Sequence, residues 1–95
     1  MEITEININL RNEEKLKAFV NITFDDVFVV RGLKVILGTK GLFVCMPSRK
    51  LTDGAYKDIA HPIDNGFRQK IEGMILVKYQ KVLQNPELQG TPDPF

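Results

Sequence analysis

Leu16-Lys17-Ala18-Phe19-Val20-Asn21-Ile22-Thr23-Phe24 places an apolar side chain at every second position from Leu16 to Phe24. A strand turns successive side chains to opposite faces, whereas a helix repeats every ~3.6 residues, so this stretch predicts a half-buried strand with one face on a core. The same period precedes it, because Ile6, Ile8 and Leu10 alternate with Asn7 and Asn9. The polar run Arg11 to Lys15 then joins the two strands as a hairpin. Ile3 is out of phase, which predicts a late start or a bulge in the first strand.

Downstream, Asp25-Asp26 is a turn signal ahead of Val27-Phe28-Val29-Val30, an apolar run rich in β-branched residues. Arg31-Gly32 interrupts that third strand before Leu33, Val35 and Leu37 resume the alternation, so Gly32 marks a bulge or a bend. Gly38-Thr39-Lys40-Gly41 has tight-turn chemistry and leads into Leu42 to Met46, a fourth strand stopped by Pro47. Ala55 to Ala60, entered through the Thr52-Asp53-Gly54 turn, is a candidate fifth strand. After Pro62 the period changes: Phe67, Ile71, Met74, Ile75, Tyr79 and Val82 recur at spacings of three and four. This predicts one amphipathic helix over 66–84, capped by Asp64 or Asn65. Gly73 inside it costs about 1 kcal/mol relative to alanine and signals close packing or simple tolerance.

The expected fold is α+β: an antiparallel sheet of four to five strands, followed by one amphipathic C-terminal helix packed on the sheet. Residues 1–84 make the single domain, and three prolines and a glycine between Asn85 and Phe95 predict a flexible tail over 85–95. A sheet with one helix leaves open edges, and pairing the edges of two copies satisfies their backbone groups, so a homodimer is expected.

Ninety-five residues with 43% hydrophobic and 26% charged side chains match an ordinary globular domain rather than a disordered or membrane one. Apolar runs such as Val27–Val30 and Met74–Val77 are far short of the ~20 residues of a spanning helix, so no membrane insertion is expected. The acidic start lacks the basic and apolar regions of a secretory signal, and the single cysteine, Cys45, fits a reducing compartment, so a cytoplasmic location is expected. Net charge is only +1, but residues 1–30 carry three bases against six acids, while residues 31–85 carry ten bases against four acids. A near-neutral total therefore conceals a positive half able to face an anionic partner.

No nucleophile, base and acid stand in a catalytic order, and no metal or cofactor motif is present, so neither an enzyme nor a cofactor is expected. His61, with Asp58 three residues before it, is read as structural, and Cys45, flanked by Val44 and Met46, as a small buried hydrophobe. Gly38-Thr39-Lys40-Gly41 lacks the spacing of a phosphate loop and is followed by a strand. Lys40-Gly41-Leu42-Phe43-Val44 touches the RNA-recognition signature but offers Leu42 and Cys45 where stacking aromatics are needed. Ser48-Arg49-Lys50 is the foremost candidate: placed directly after the strand stopped by Pro47, it projects from a sheet end into solvent. A guanidinium binds phosphate bidentately or reads guanine, lysine acts as a point charge, and the serine hydroxyl donates to phosphate. Lys57, Arg68 and Lys70 flank it in sequence and complete the candidate nucleic-acid site.

Gly41-Leu42-Phe43-Val44-Cys45-Met46-Pro47-Ser48-Arg49-Lys50, followed by Asp53-Gly54 and Asp58-Ile59-Ala60-His61-Pro62-Ile63, closely resembles the stage V sporulation protein G (SpoVG) family. The resemblance runs back through Ile22-Thr23-Phe24-Asp25, Phe28-Val29-Val30 and Lys34-Val35-Ile36 and forward into the helix, leaving only the tail outside. It implies a small homodimeric α+β protein of bacteria, tied to sporulation and septation, that binds DNA and RNA site-specifically as a regulator and has no enzyme activity. The family's basic pair after its Met-Pro-Ser motif falls on Arg49 and Lys50, with lysine and arginine in reversed order. Arg31-Gly32 stands where a histidine and an acid are usual, and the first hairpin lacks the usual turn glycine. The rival expectation is a protein-interaction module acting on septation machinery through a strand edge or the helix face.

Overall fold

The computed structural model describes residues 1–89. Its elements are β1 (Ile3–Leu10), β2 (Leu16–Phe24), β3 (Phe28–Gly38), β4 (Gly41–Cys45), β5 (Ser48–Lys50), β6 (Tyr56–Asp58) and α1 (Asn65–Gln84), followed by a 3-10 turn over Pro86–Leu88. The first four strands form an antiparallel meander in the order β1-β2-β3-β4, and β5 and β6 pair separately as a two-stranded ribbon. The architecture is therefore the expected α+β one, with four strands in the sheet. The candidate fifth strand is shortened to Tyr56–Asp58 and leaves the sheet for the ribbon.

Alternation in sequence becomes alternation in burial, since Ala18, Val20, Ile22 and Phe24 on β2 are buried and their odd-numbered neighbours only partly so. Leu16 escapes the pattern because the register with β3 shifts between Leu16 and Ala18. On β1 the expected irregularity lies between Ile3 and Glu5, which pair with Phe24 and Thr23 and leave Thr4 as the extra residue. The Thr4 hydroxyl donates to the Thr23 carbonyl at 3.3 Å and accepts from the Asp26 N–H at 3.0 Å, so the bulge is tied to the next turn. In that turn, closed by the Val27 N–H donating to the Phe24 carbonyl at 3.0 Å, Asp25 and Asp26 have φ of 50° and 56°, a left-handed conformation that aspartate tolerates better than most residues.

Val20 pairs with Leu33 and Ile22 with Val30, so Arg31 and Gly32 together oppose Asn21. This is the bulge that Gly32 signals, and its φ of +88° explains the glycine. Gly38 pairs with Gly41 around Thr39-Lys40, which makes that glycine-flanked segment a hairpin turn rather than a phosphate loop.

The helix begins where Asp64 caps it, its carboxylate accepting from the Phe67 N–H at 2.8 Å. Ile71, Ile75, Tyr79 and Val82 form its buried stripe and meet Ile8, Val20, Ile22, Leu33, Val35 and Val44 from the sheet. Each such side chain contributes roughly 1.5–3 kcal/mol by leaving water. Met74, expected on the apolar face, is instead 37% exposed, because it falls outside this stripe. A Cβ at Gly73 would meet nothing within 4 Å, so tolerance rather than close packing explains that glycine.

Beyond the helix, Pro86–Leu88 form a 3-10 turn and the Gln89 side-chain oxygen accepts from the Leu10 N–H at 2.9 Å. Residues 90–95, the rest of the expected tail, lie outside the described residues. No helix among the described residues is long and apolar enough to cross a membrane.

Candidate nucleic-acid interface

Ser48, Arg49 and Lys50 are not a loop hanging from the end of β4, as their place after Pro47 suggests. They form β5, because Thr52-Asp53-Gly54 closes a hairpin and returns the chain alongside as β6. The Gly54 N–H donates to the Leu51 carbonyl at 3.0 Å, and Gly54 has a φ of +89°, the left-handed residue that this kind of turn needs. The Ala55 N–H is held at 2.9 Å by the Asp53 carboxylate.

Strand geometry sorts the bases. Ser48 pairs with Asp58, Arg49 with Lys57 and Lys50 with Tyr56. The Leu51 N–H donates to Ala55 and the Ile59 N–H to Pro47, each at 2.7 Å, so Arg49–Lys57 between them is also a hydrogen-bonded pair. Side chains directly opposite share a face and consecutive ones alternate. Arg49 and Lys57 thus stand together on one face of the ribbon, while Ser48 and Lys50 lie on the other with Tyr56 and Asp58. All six are exposed. Two like charges directly opposite repel, and none of Arg49, Lys50 and Lys57 has an ion-pair partner among the described residues.

Arg68 and Lys70 lie on another element, the first turns of α1, joined to the ribbon through Ile59–Asp64. The Arg68 guanidinium is 4.0 Å from the Glu72 carboxylate, four residues along the helix, which partly satisfies its charge. Lys70 is exposed. The structure therefore brings Arg49 and Lys57 together, sets Lys50 and Ser48 back to back with them, and leaves Arg68 and Lys70 on the helix.

Tyr56 is the residue that the sequence reading passed over. It is 69% exposed and sits across from Lys50, an aromatic surface beside a cation of the kind on which bases stack. Its neighbour Lys57 and the preceding turn are the signal in the sequence, although an isolated tyrosine in a short segment carries no period.

The remaining titratable candidates take quiet places. His61 is exposed, with its ring Nδ1 3.1 Å from the Pro62 carbonyl. Cys45, expected to be buried, is only partly so, on β4 opposite Lys34. Burial pushes its thiol above the ordinary range; Lys34 acts in the opposite direction, and Asp58 adds to the rise. The thiolate needed for reactivity is thereby suppressed at neutral pH.

Comparison with known proteins places this geometry among relatives. The SpoVG family model matches residues 1–81, which includes all of the ribbon and most of the helix. A relative from Anaeromyxobacter sp. (strain Fw109-5) is 51% identical over 96 residues, covering 98% of this chain and 99% of its own. One from Agathobacter rectalis is 55% identical over 86 residues, covering 90% and 99%, and one from Clostridium acetobutylicum is 51% identical over 88 residues, covering 92% and 93%. All three carry the name "Putative septation protein SpoVG". With a family model spanning most of its length and half of its residues shared with full-length relatives, the chain belongs to the SpoVG family.

Proposed function

We propose that the protein is a non-catalytic, cytoplasmic regulator tied to septation and sporulation, which binds DNA or RNA as a homodimer through the β5–β6 ribbon. The observation that carries this reading is the facing pair Arg49 and Lys57 on an exposed ribbon, with no counter-ion among the described residues. A polyanion supplies the missing negative charge, and a two-stranded ribbon fits the major groove of duplex DNA. On a single strand, Tyr56 offers a stacking surface next to Lys50. The septation role rests on the names of the relatives. The homodimer is supported by the open edge of β4, beside which Phe43 and Leu37 are exposed. Fluorescence anisotropy with labelled duplex DNA and single-stranded RNA, repeated at several salt concentrations, tests the proposal. Binding that weakens steeply with salt is expected; absence of binding to either polymer at low salt overturns it.

One observation favours a second reading, a protein-interaction module. A cleft of about 330 Å³ opens between the ribbon base and the helix start, with Phe24, Met46 and Phe67 inside and Phe28 and Ile63 exposed at its rim. Exposed apolar surface of this kind marks partner sites. A septation-protein partner that remains bound after nuclease treatment, together with no shift of DNA or RNA, would select this reading.

A further inference from the structure

We propose that the groove between α1 and the first half of β1 receives a short, extended, acidic segment of a partner protein, which pairs with β1 at Ile6 and turns its carboxylates to Lys78 and Lys81. None of these residues lies on the β5–β6 ribbon, so the surface goes beyond the nucleic-acid reading and stands without it.

The direction of the backbone groups along β1 is set by two hydrogen bonds. The Arg11 N–H donates to the Lys17 carbonyl at 2.8 Å, toward β2, and the Leu10 N–H donates to the Gln89 side chain at 2.9 Å, away from it. Main-chain groups alternate along a strand, so those of Asn7 and Asn9 also face β2, whereas those of Ile6 and Ile8 face the edge. The edge is not equally open along its length. Gln89 closes it at Leu10, and Ile8 has no exposed surface. Ile6 is only partly buried and lines the groove, so its N–H and carbonyl are the pair that an incoming chain can reach. The bulge at Thr4 ends regular pairing just beyond, which keeps any added strand short.

The groove has a volume of about 550 Å³, and its helical wall carries Met74, Val77, Lys78 and Lys81. Met74 and Val77 are 37% and 58% exposed, and neither lysine has an ion-pair partner among the described residues. Glu5 is the one acid lining the groove. It is adjacent to Ile6, whose side chain packs on the core under α1, so the Glu5 carboxylate turns to the opposite face of the sheet. The helical wall is therefore positive beside an apolar strip, with no internal charge to neutralise it.

These features select the occupant. A main-chain donor and acceptor on one residue match the acceptor and donor of another peptide unit, the basis of strand addition. A residue paired with Ile6 shares its face and points at α1, as do the residues two before and two after it. An apolar side chain in the centre meets Met74 and Val77, and acidic side chains flanking it reach Lys78 and Lys81. Five residues span roughly 14 Å, the length of the lining stretch Ile3–Asn7.

The test is an NMR titration of the isotope-labelled full chain with the synthetic peptide acetyl-Asp-Thr-Val-Thr-Asp-amide. Saturable shifts are expected at the Ile6 amide, the Met74 and Val77 methyls and the Lys78 and Lys81 signals, with the ribbon signals of Arg49 and Lys57 unmoved. Replacing both peptide aspartates by asparagine should weaken binding about fivefold, the scale of two exposed ion pairs. The double variant Lys78→Glu/Lys81→Glu should lose the acidic peptide and bind one with lysines in place of the aspartates, which shows that it is folded. Methylating the nitrogen of the central valine should abolish the Ile6 shift by removing the main-chain donor. No shift at Ile6 and Val77 with millimolar peptide overturns the proposal, as does equal affinity for the acidic and asparagine peptides. A single-stranded oligonucleotide that displaces the peptide from Lys78 and Lys81 also overturns it, by giving the groove to nucleic acid. So does occupation of the groove that vanishes on dilution of the protein alone, which would give it to a second copy.

Discussion

Replacing Arg49 and Lys57 together by alanine removes the two cations that share one face of the ribbon. If that face lies on phosphates, each lost contact lowers the slope of log affinity against log salt by about 0.9 on duplex DNA, so the pair removes about 1.8 per protomer. Over a fourfold rise in salt, this is a factor of roughly 12 that the variant no longer loses. Lys50→Ala acts on the opposite face, next to Tyr56, and should change the duplex slope little while weakening single-stranded binding through the stacking site. The fold should not suffer: Arg49 and Lys57 are exposed like charges set opposite each other, so their removal relieves repulsion of up to about 1 kcal/mol. Anisotropy titrations of the wild type, the double variant and Lys50→Ala across several salt concentrations, with urea unfolding as a control, measure all of this. The reasoning fails if the double variant keeps the wild-type slope, or if Lys50→Ala flattens it as much as the pair does.

Other consequences follow from the core, the bulge and the thiol. Ile75 has no exposed surface and sits at the centre of the helix stripe; Ile75→Ala should cost 2–5 kcal/mol by roughly the usual scale of such deletions, read as a lowered urea midpoint. Gly32→Ala should cost about 1–2 kcal/mol in the same assay; the positive φ is the cause, since the nearest atom to an added Cβ, on Pro47, lies at an ordinary 3.8 Å. For Cys45, the raised thiol favours the protonated form in the folded state. Its contribution to stability is therefore present below the ordinary thiol range and fades as pH climbs through the raised folded value. Alkylation near neutral pH should be slower in the native chain than in the urea-unfolded one, and equal rates would contradict the desolvation of the sulfur.

Where a segment carries its own period, its structure was legible in advance. The alternation in Leu16–Phe24, the Asp25-Asp26 turn, the Gly32 bulge and the helix capped by Asp64 each depend on a few adjacent residues, and each is where the residues place it. The candidate bases were legible as residue types. Their arrangement was not: Ser48-Arg49-Lys50 is polar throughout and shows no alternation, so nothing local marks it as a strand.

The sequence by itself determined the strand-and-helix order, the turns and the basic middle of the chain, because backbone sterics and hydrophobic period act over a handful of neighbours. Tertiary structure alone decided which strands pair, and so that residues 48–58 leave the sheet as a ribbon with Arg49 and Lys57 on one face and Lys50 on the other. It also decided that Met74 faces a groove instead of the core and that Gln89 reaches back to Leu10. Pairing is a competition among distant partners for the same backbone groups, and its outcome depends on the whole chain packing at once.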